Sequence, residues 1–186
     1  PLYAWGGLYD VFIIRGFTNS AANFRNGIRI PTSKFDLANV DHVEVLKGPS
    51  SVLYGSADPG GLVNTVTKAP TAEPEFAIEQ SVGSFDHYRT EASASGPLGE
   101  DRSLLYRVDF SMLSSESYRD LQDNDRLFVA PAITWNYASN TQFNLSFEYT
   151  KDKLVYDSGV PAVGDGIADI PIERAFGATG IQDEHD

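Results

Sequence analysis

The chain has 186 residues, a formal net charge of -12 from 14 basic and 26 acidic side chains, and no cysteine. Phosphate binding needs a clustered excess of Lys and Arg, so a nucleic-acid partner is excluded, and disulfides, zinc-thiolate sites and cysteine nucleophiles are excluded with the thiol. The 16 Gly, 9 Tyr and 11 Phe against a single Met favour strands and turns over helices.

From Pro1 to about Pro70, short apolar runs alternate with Gly-rich turns: Val11 to Ile14, Ile28 to Ile30, Val43 to Leu46, and Leu62 to Thr67. These read as strands of a small mixed sheet. Between the last two, Pro49 stands at a first helical position and Gly55 where a helix would stop, so one or two helical turns are expected there. The segment from Ala69 to Pro74 carries two prolines and reads as a linker.

Beyond the linker the period changes to two. Leu104, Tyr106, Val108, Phe110 and Met112 alternate with Leu105, Arg107, Asp109, Ser111 and Leu113. The same pattern runs through Leu127, Val129, Ile133, Trp135 and Tyr137, through Phe143, Leu145, Phe147 and Tyr149, and more weakly through Phe76, Ile78 and Val82. Each run has about 9 to 12 residues, the length of a tilted bilayer-spanning strand.

Gly96 to Asp101 and Ala138 to Asn140 are tight turns, whereas Ser114 to Arg126 and everything after Asp152 are long and polar. Short turns on one rim and long loops on the other suit an outer-membrane barrel, and Trp135, Tyr137 and Tyr149 stand where interfacial aromatics would. An antiparallel sandwich with one wet face gives the same alternation, and periodicity alone fits both. No stretch approaches the ~18 apolar residues of a spanning helix, which a barrel would not show either.

About five strands spaced ~4.8 Å apart and tilted ~40° cover an arc of roughly 30 Å. A barrel that holds a plug has ~22 strands. No charged and then apolar leader opens the chain. Starting at Pro1 and ending at Asp186 in loop-like sequence, it reads as an excerpt from something longer.

One series of motifs is specific. Ile14-Arg15-Gly16-Phe17, Asn26-Gly27-Ile28-Arg29, Val43 to Pro49, Ser51-Val52-Leu53-Tyr54-Gly55, Pro59-Gly60-Gly61-Leu62-Val63-Asn64 and Thr67-Lys68-Ala69-Pro70 follow one another closely. In this order they resemble the plug of TonB-dependent siderophore receptors of the ferrichrome and pyoverdine type, and Gly159-Val160-Pro161 with Ile170-Pro171 is similar to an outer loop of the same receptors.

The resemblance implies a mainly β chain. Residues 1–70 would be the C-terminal part of an α/β plug domain, and residues 71–186 the first roughly five antiparallel strands and outer loops of a large transmembrane β-barrel, truncated. It implies a Gram-negative outer membrane, contact with outer-membrane lipid, and a ferric siderophore as transported ligand, with no cofactor or bound metal of the protein's own. Energy would come from the TonB-ExbB-ExbD complex through a TonB box that this sequence lacks. Cobalamin, haem or a glycan is the alternative cargo.

By position, the resemblance makes Tyr3 to Leu8, Phe17 to Arg25 and Pro31 to Phe35 apical plug loops, with Tyr3, Trp5, Asn23, Phe24, Lys34 and Phe35 as candidate ligand contacts. Aromatic rings suit stacking on a siderophore, and a cation suits an anionic ferric complex. Arg15 and Lys47 end plug strands and would need carboxylates if enclosed. The family directs such cations toward the barrel wall, and Glu44 offers one of them a partner within the plug. Gly16, Gly48, Gly55, Gly60 and Gly61 suit tight turns and close backbone approach, because no Gly-Lys-Ser/Thr follows to make a phosphate loop.

Catalysis is not expected. His42, His87 and His185 are scattered without metal spacing, no Gly-x-Ser-x-Gly elbow occurs, and Asp123-Asn124-Asp125 and Asp183-Glu184 read as solvated loops.

Overall fold

A computed structural model describes residues 2–4, 9–19, 23–30, 34–48, 59–155, 159–174 and 183–185. The chain divides into two compact units, Pro1–Lys68 and Ala69–Asp186. Every described regular element is a strand, and the expected helical segment between Pro49 and Gly55 lies wholly outside the described residues.

In the first unit, β1 (Leu2–Ala4), β2 (Tyr9–Ile14) and β3 (Phe17–Asn19) form an antiparallel sheet. A second, mixed sheet has the order β5-β4-β7-β6, from β4 (Asn23–Arg25), β5 (Ile28–Arg29), β6 (Val40–Lys47) and β7 (Gly61–Thr67). β4 and β7 run parallel, and the other pairs are antiparallel.

Two hairpins set these registers. Arg15-Gly16 joins β2 to β3 and Asn26-Gly27 joins β4 to β5, with φ of 52° and 81° in the first pair and 50° and 78° in the second. Two successive positive φ values make the two-residue turn whose twist matches the flanking strands, and Asn-Gly is its strongest sequence signal. The segment expected as one loop from Phe17 to Arg25 therefore contains two short strands.

Phe24 and Leu62 form the described core of this unit, with Leu46 packed against them. Gly60 and Gly61 permit close backbone approach: a Cβ on Gly60 would overlap the Ile14 carbonyl oxygen, and one on Gly61 the Leu46 carbonyl oxygen.

The second unit is one antiparallel sheet running β8 (Glu75–Gly83), β9 (His87–Leu98), β10 (Leu104–Ser115) and β11 (Asn124–Ala138). β11 then pairs with both β12 (Thr141–Ser146) and β13 (Tyr149–Leu154), and β13 with β16 (Asp183–His185). Between them, β14 (Ala162–Val163) and β15 (Gly166–Ile167) make a separate hairpin. Strands extend into the long connection expected from Ser114 to Arg126, shortening it to residues 116–123.

The run from Phe143 to Tyr149, expected as one strand, is split at Phe147-Glu148 without a change of register. Ile133 faces Leu145 and Val129 faces Tyr149, so Pro131 stands opposite Phe147. Phe147 N donates to Pro131 O at 3.0 Å. Proline has no N–H to return the second bond of that antiparallel pair, and the ladder lapses there.

Candidate functional site

The polarity of the second unit is inverted relative to a water-soluble sheet. In β10 the buried positions are Leu105, Arg107, Asp109 and Ser111, while Val108 and Met112 on the other face are exposed. Registers carry that outer face across the sheet through Phe76 and Ile78, Val108, Ile133 and Trp135, and Phe143 and Leu145. Asp109 is 2% exposed, whereas Phe76 and Leu145 are 73% and 72% exposed.

A contiguous apolar face of this breadth is unstable in water and stable in hydrocarbon. The wet-faced sandwich is thereby overturned in favour of a wall with its apolar side outward. At the end beside the Ser139-Asn140 turn, Trp135 lies edge-on to Tyr137 at 5.2 Å and 5.8 Å from Phe143, an aromatic group suited to an interface.

The polar face carries its charges in pairs. Arg107 donates through Nε and Nη2 to the two carboxylate oxygens of Asp109 at 2.7 and 2.8 Å. Arg126 grips Asp152 in the same two-pronged way, with its Nη2 bond at 2.7 Å, and Arg89 meets Glu91 through Nε. Such pairs satisfy each guanidinium and carboxylate where either alone would be costly to bury. They leave each of these guanidiniums neutralised on a hydrogen-bonding surface.

The outer connections are tied together. Glu116 N donates to Phe85 O at 2.8 Å, Asp120 N to Glu173 O at 2.7 Å, and Arg119 Nη2 to Arg174 O at 2.9 Å.

In the first unit the polar contacts converge on the segment before β6. Arg25, buried, donates to Asn39 Oδ1 at 2.8 Å and holds its guanidinium 5.3 Å from the Phe35 ring centre. Lys68 donates from its backbone N to Asn39 O and from Nζ to Ala38 O, both at 2.8 Å. Asn64, in the middle of an apolar strand, accepts from Gly27 N at 3.0 Å and donates to Glu44 Oε2 at 2.8 Å. None of Arg25, Asn39, Asn64 and Lys68 is marked by sequence reasoning as a working residue. A lone Asn within Leu62-Val63-Asn64 is the signal that was available.

The candidate ligand contacts separate by burial. Phe24 is 3% exposed and packs on Leu62, so it serves the core and is not presented to a ligand; Asn23 is buried beside it. Lys34 and Phe35 are half-buried. Tyr3 lies in β1 opposite Asp10, and Trp5 and Gly55 fall outside the described residues.

Arg15 and Lys47 are exposed. Glu44 is occupied by Asn64 and stands 3.6 Å from His42 Nε2, so its described partners are not these two cations. Gly16 and Gly48 take positive φ values, as turn glycines do.

Residues 4–62 match the TonB-dependent Receptor Plug Domain. Over 142 residues the chain is 41% identical to the metal-pseudopaline receptor CntO of Pseudomonas aeruginosa, covering 76% of this chain and 20% of that protein. It is 32% identical over 165 residues to the ferrichrome outer membrane transporter/phage receptor of Escherichia coli, covering 84% and 22%. The ferric-catecholate import receptor Fiu of Escherichia coli K12 aligns with a TM-score of 0.77 at 26% identity, over 85% of this chain and 24% of that one. The pyoverdine receptor FpvA of Pseudomonas aeruginosa aligns with a TM-score of 0.82 over 90% and 27%; at 23% identity that likeness shows the fold alone. The chain spans about a fifth of the length of the curated relatives it matches.

Proposed function

The chain belongs to the TonB-dependent receptors, and from that premise we propose that it is the late plug and opening barrel wall of an outer-membrane importer of ferric siderophores. The boundary between the two lies at the linker from Ala69 to Pro74, with residues 1–70 as plug. The observation that carries this reading is the inverted second unit joined to a plug match: apolar outside, charge-paired inside, and preceded in sequence by residues 4–62.

In this reading the polar face lines the passage, where paired arginines hydrogen-bond water without trapping an anion. Tyr3, Trp5, Lys34 and Phe35 are the plug side chains assigned to the cargo. Arg15 and Lys47, exposed in the first unit, are the cations assigned to wall carboxylates. TonB-ExbB-ExbD supplies the work through a box elsewhere in the protein.

A second cargo reading, a chelate of another metal, is favoured by the 41% identity to a metal-pseudopaline receptor. Growth of a strain deleted for the full gene separates them. Restoring the gene should restore growth on ferrichrome, ferric pyoverdine or a ferric catecholate as sole iron source. If only uptake of another chelated metal, cobalamin, haem or a glycan depended on the gene, the ferric-siderophore assignment would fail.

A further inference from the structure

The geometry points to Ser95 as the positioning residue that pins the crossover between the two units to the wall, so that any transport motion of the first unit stops at Ala69-Pro70. The inference rests on the transport reading above for its consequence, and on hydrogen bonds within the second unit for its substance.

Ser95 lies on the polar face of β9 and is 2% exposed. Its hydroxyl donates to Tyr106 O on the neighbouring strand at 2.9 Å, which fixes its lone pairs. Thr71 N then donates to Ser95 Oγ at 2.9 Å, and Thr71 Oγ1 lies at the same distance. One side chain of the wall therefore holds the backbone N–H of the incoming segment and offers its hydroxyl an acceptor.

Two further contacts continue the attachment. Glu73 O lies 2.8 Å from Thr71 Oγ1 as an alternative acceptor for its single hydrogen, and Glu73 is paired with Arg102 Nη1 at 2.7 Å. The Arg102 pair is exposed and contributes little. The buried Ser95 bonds contribute more, because a backbone N–H deprived of its acceptor there has no strand neighbour to turn to.

On the other side of the crossover, Lys68 is bonded to Asn39 and Ala38. Only Ala69 and Pro70 separate the two anchored points, and Pro70 has its φ fixed by its ring. A load arriving along the chain from the first unit therefore meets the Thr71-Ser95 bonds before it reaches β8.

The test uses the full-length receptor in outer membranes, with Thr71→Cys and Ser95→Cys introduced together and any cysteine outside these 186 residues, which contain none, replaced by Ser. Iron-labelled ferrichrome, ferric pyoverdine and a ferric catecholate serve as probes. A permanent anchor is indifferent to being locked: the disulfide should form on oxidation and leave uptake within about twofold of the reduced protein. Loss of uptake on oxidation, restored by reductant, would show that the segment leaves the wall during transport and would overturn the proposal. Failure of the disulfide to form would count against the resting contact.

A second measurement needs no cargo and stands even if none of the three probes is carried. Ser95→Ala should speed hydrogen exchange of the Thr71 amide roughly tenfold while β9 and β10 amides stay protected. Unchanged exchange at Thr71 would remove Ser95 from the role.

Discussion

In β7 the buried run is Gly61, Leu62, Val63 and Asn64, and Leu62 packs against Phe24 and Leu46. In β10 the buried side chains include Arg107, Asp109 and Ser111, and apolar Val108 and Met112 face out. The core of the first unit follows the solvent rule of a water-soluble sheet, although Ile28, Val43 and Val45 of its strands are exposed, and the second unit reverses the rule. One chain can do both because the hydrophobic effect rewards removal from water, and a bilayer performs that removal as well as a protein interior does. The difference also relocates the cost of error. Polar pairing is essential inside the second unit, whereas apolar volume is essential inside the first.

The largest expected effect breaks that pairing. Among the described carboxylates, Asp109→Ala leaves buried Arg107 with Glu75, which is 3.9 Å away and mostly exposed. A loss of about 3–5 kcal/mol is expected, as for other buried pairs cut on one side. Urea titration of the refolded receptor in lipid vesicles measures it, and a loss under about 1 kcal/mol would mean that water already screens the pair.

Next comes a charge on the outward face. Val108→Arg should cost about 2–4 kcal/mol in a bilayer, where a sheet facing water would tolerate it within about 0.5 kcal/mol. Folding yield into vesicles, followed by the gel-mobility shift of the compact barrel, distinguishes the two media. Wild-type behaviour would break the contrast between the units.

The smallest effect sharpens the first unit's side of the comparison. The exposed His42 imidazole is held above its usual pKa by its hydrogen bond to Asp41 Oδ2 at 2.7 Å, with Glu44 adding to the shift. A raised folded pKa means that the stabilisation is complete below the ordinary histidine value of 6.5 and is lost as pH rises through the raised value. NMR titration of the His42 ring should give a midpoint above 6.5, lowered by Asp41→Asn. A midpoint below 6.5 would refute the pairing.

Much of this is legible in the residues. The period of two in Leu104 to Leu113 yields β10, and the Asn26-Gly27 pair carries the signal for the β4-β5 hairpin that the motif series passed over. Phe24 is different: an aromatic in a short polar run looks like a loop residue until β4 is seen beside the buried end of β7. Arg25 and Lys68 are likewise ordinary surface cations in sequence. Their bonds to Asn39 and Ala38 span 14 and 30 residues of chain, and no local pattern encodes such partners.

By itself the sequence determined the strands, their alternation, the Gly-dependent turns and the family, because each follows from backbone geometry over a few residues or from the order of short motifs. Tertiary structure alone decided which face of the second unit is buried, that Phe24 belongs to a core, that Pro131 divides the strand opposite it, and that the arginines of the polar face are already paired. Alternation states that two faces differ. Only the register of neighbouring strands and the partners each face meets determine which of them is kept from solvent.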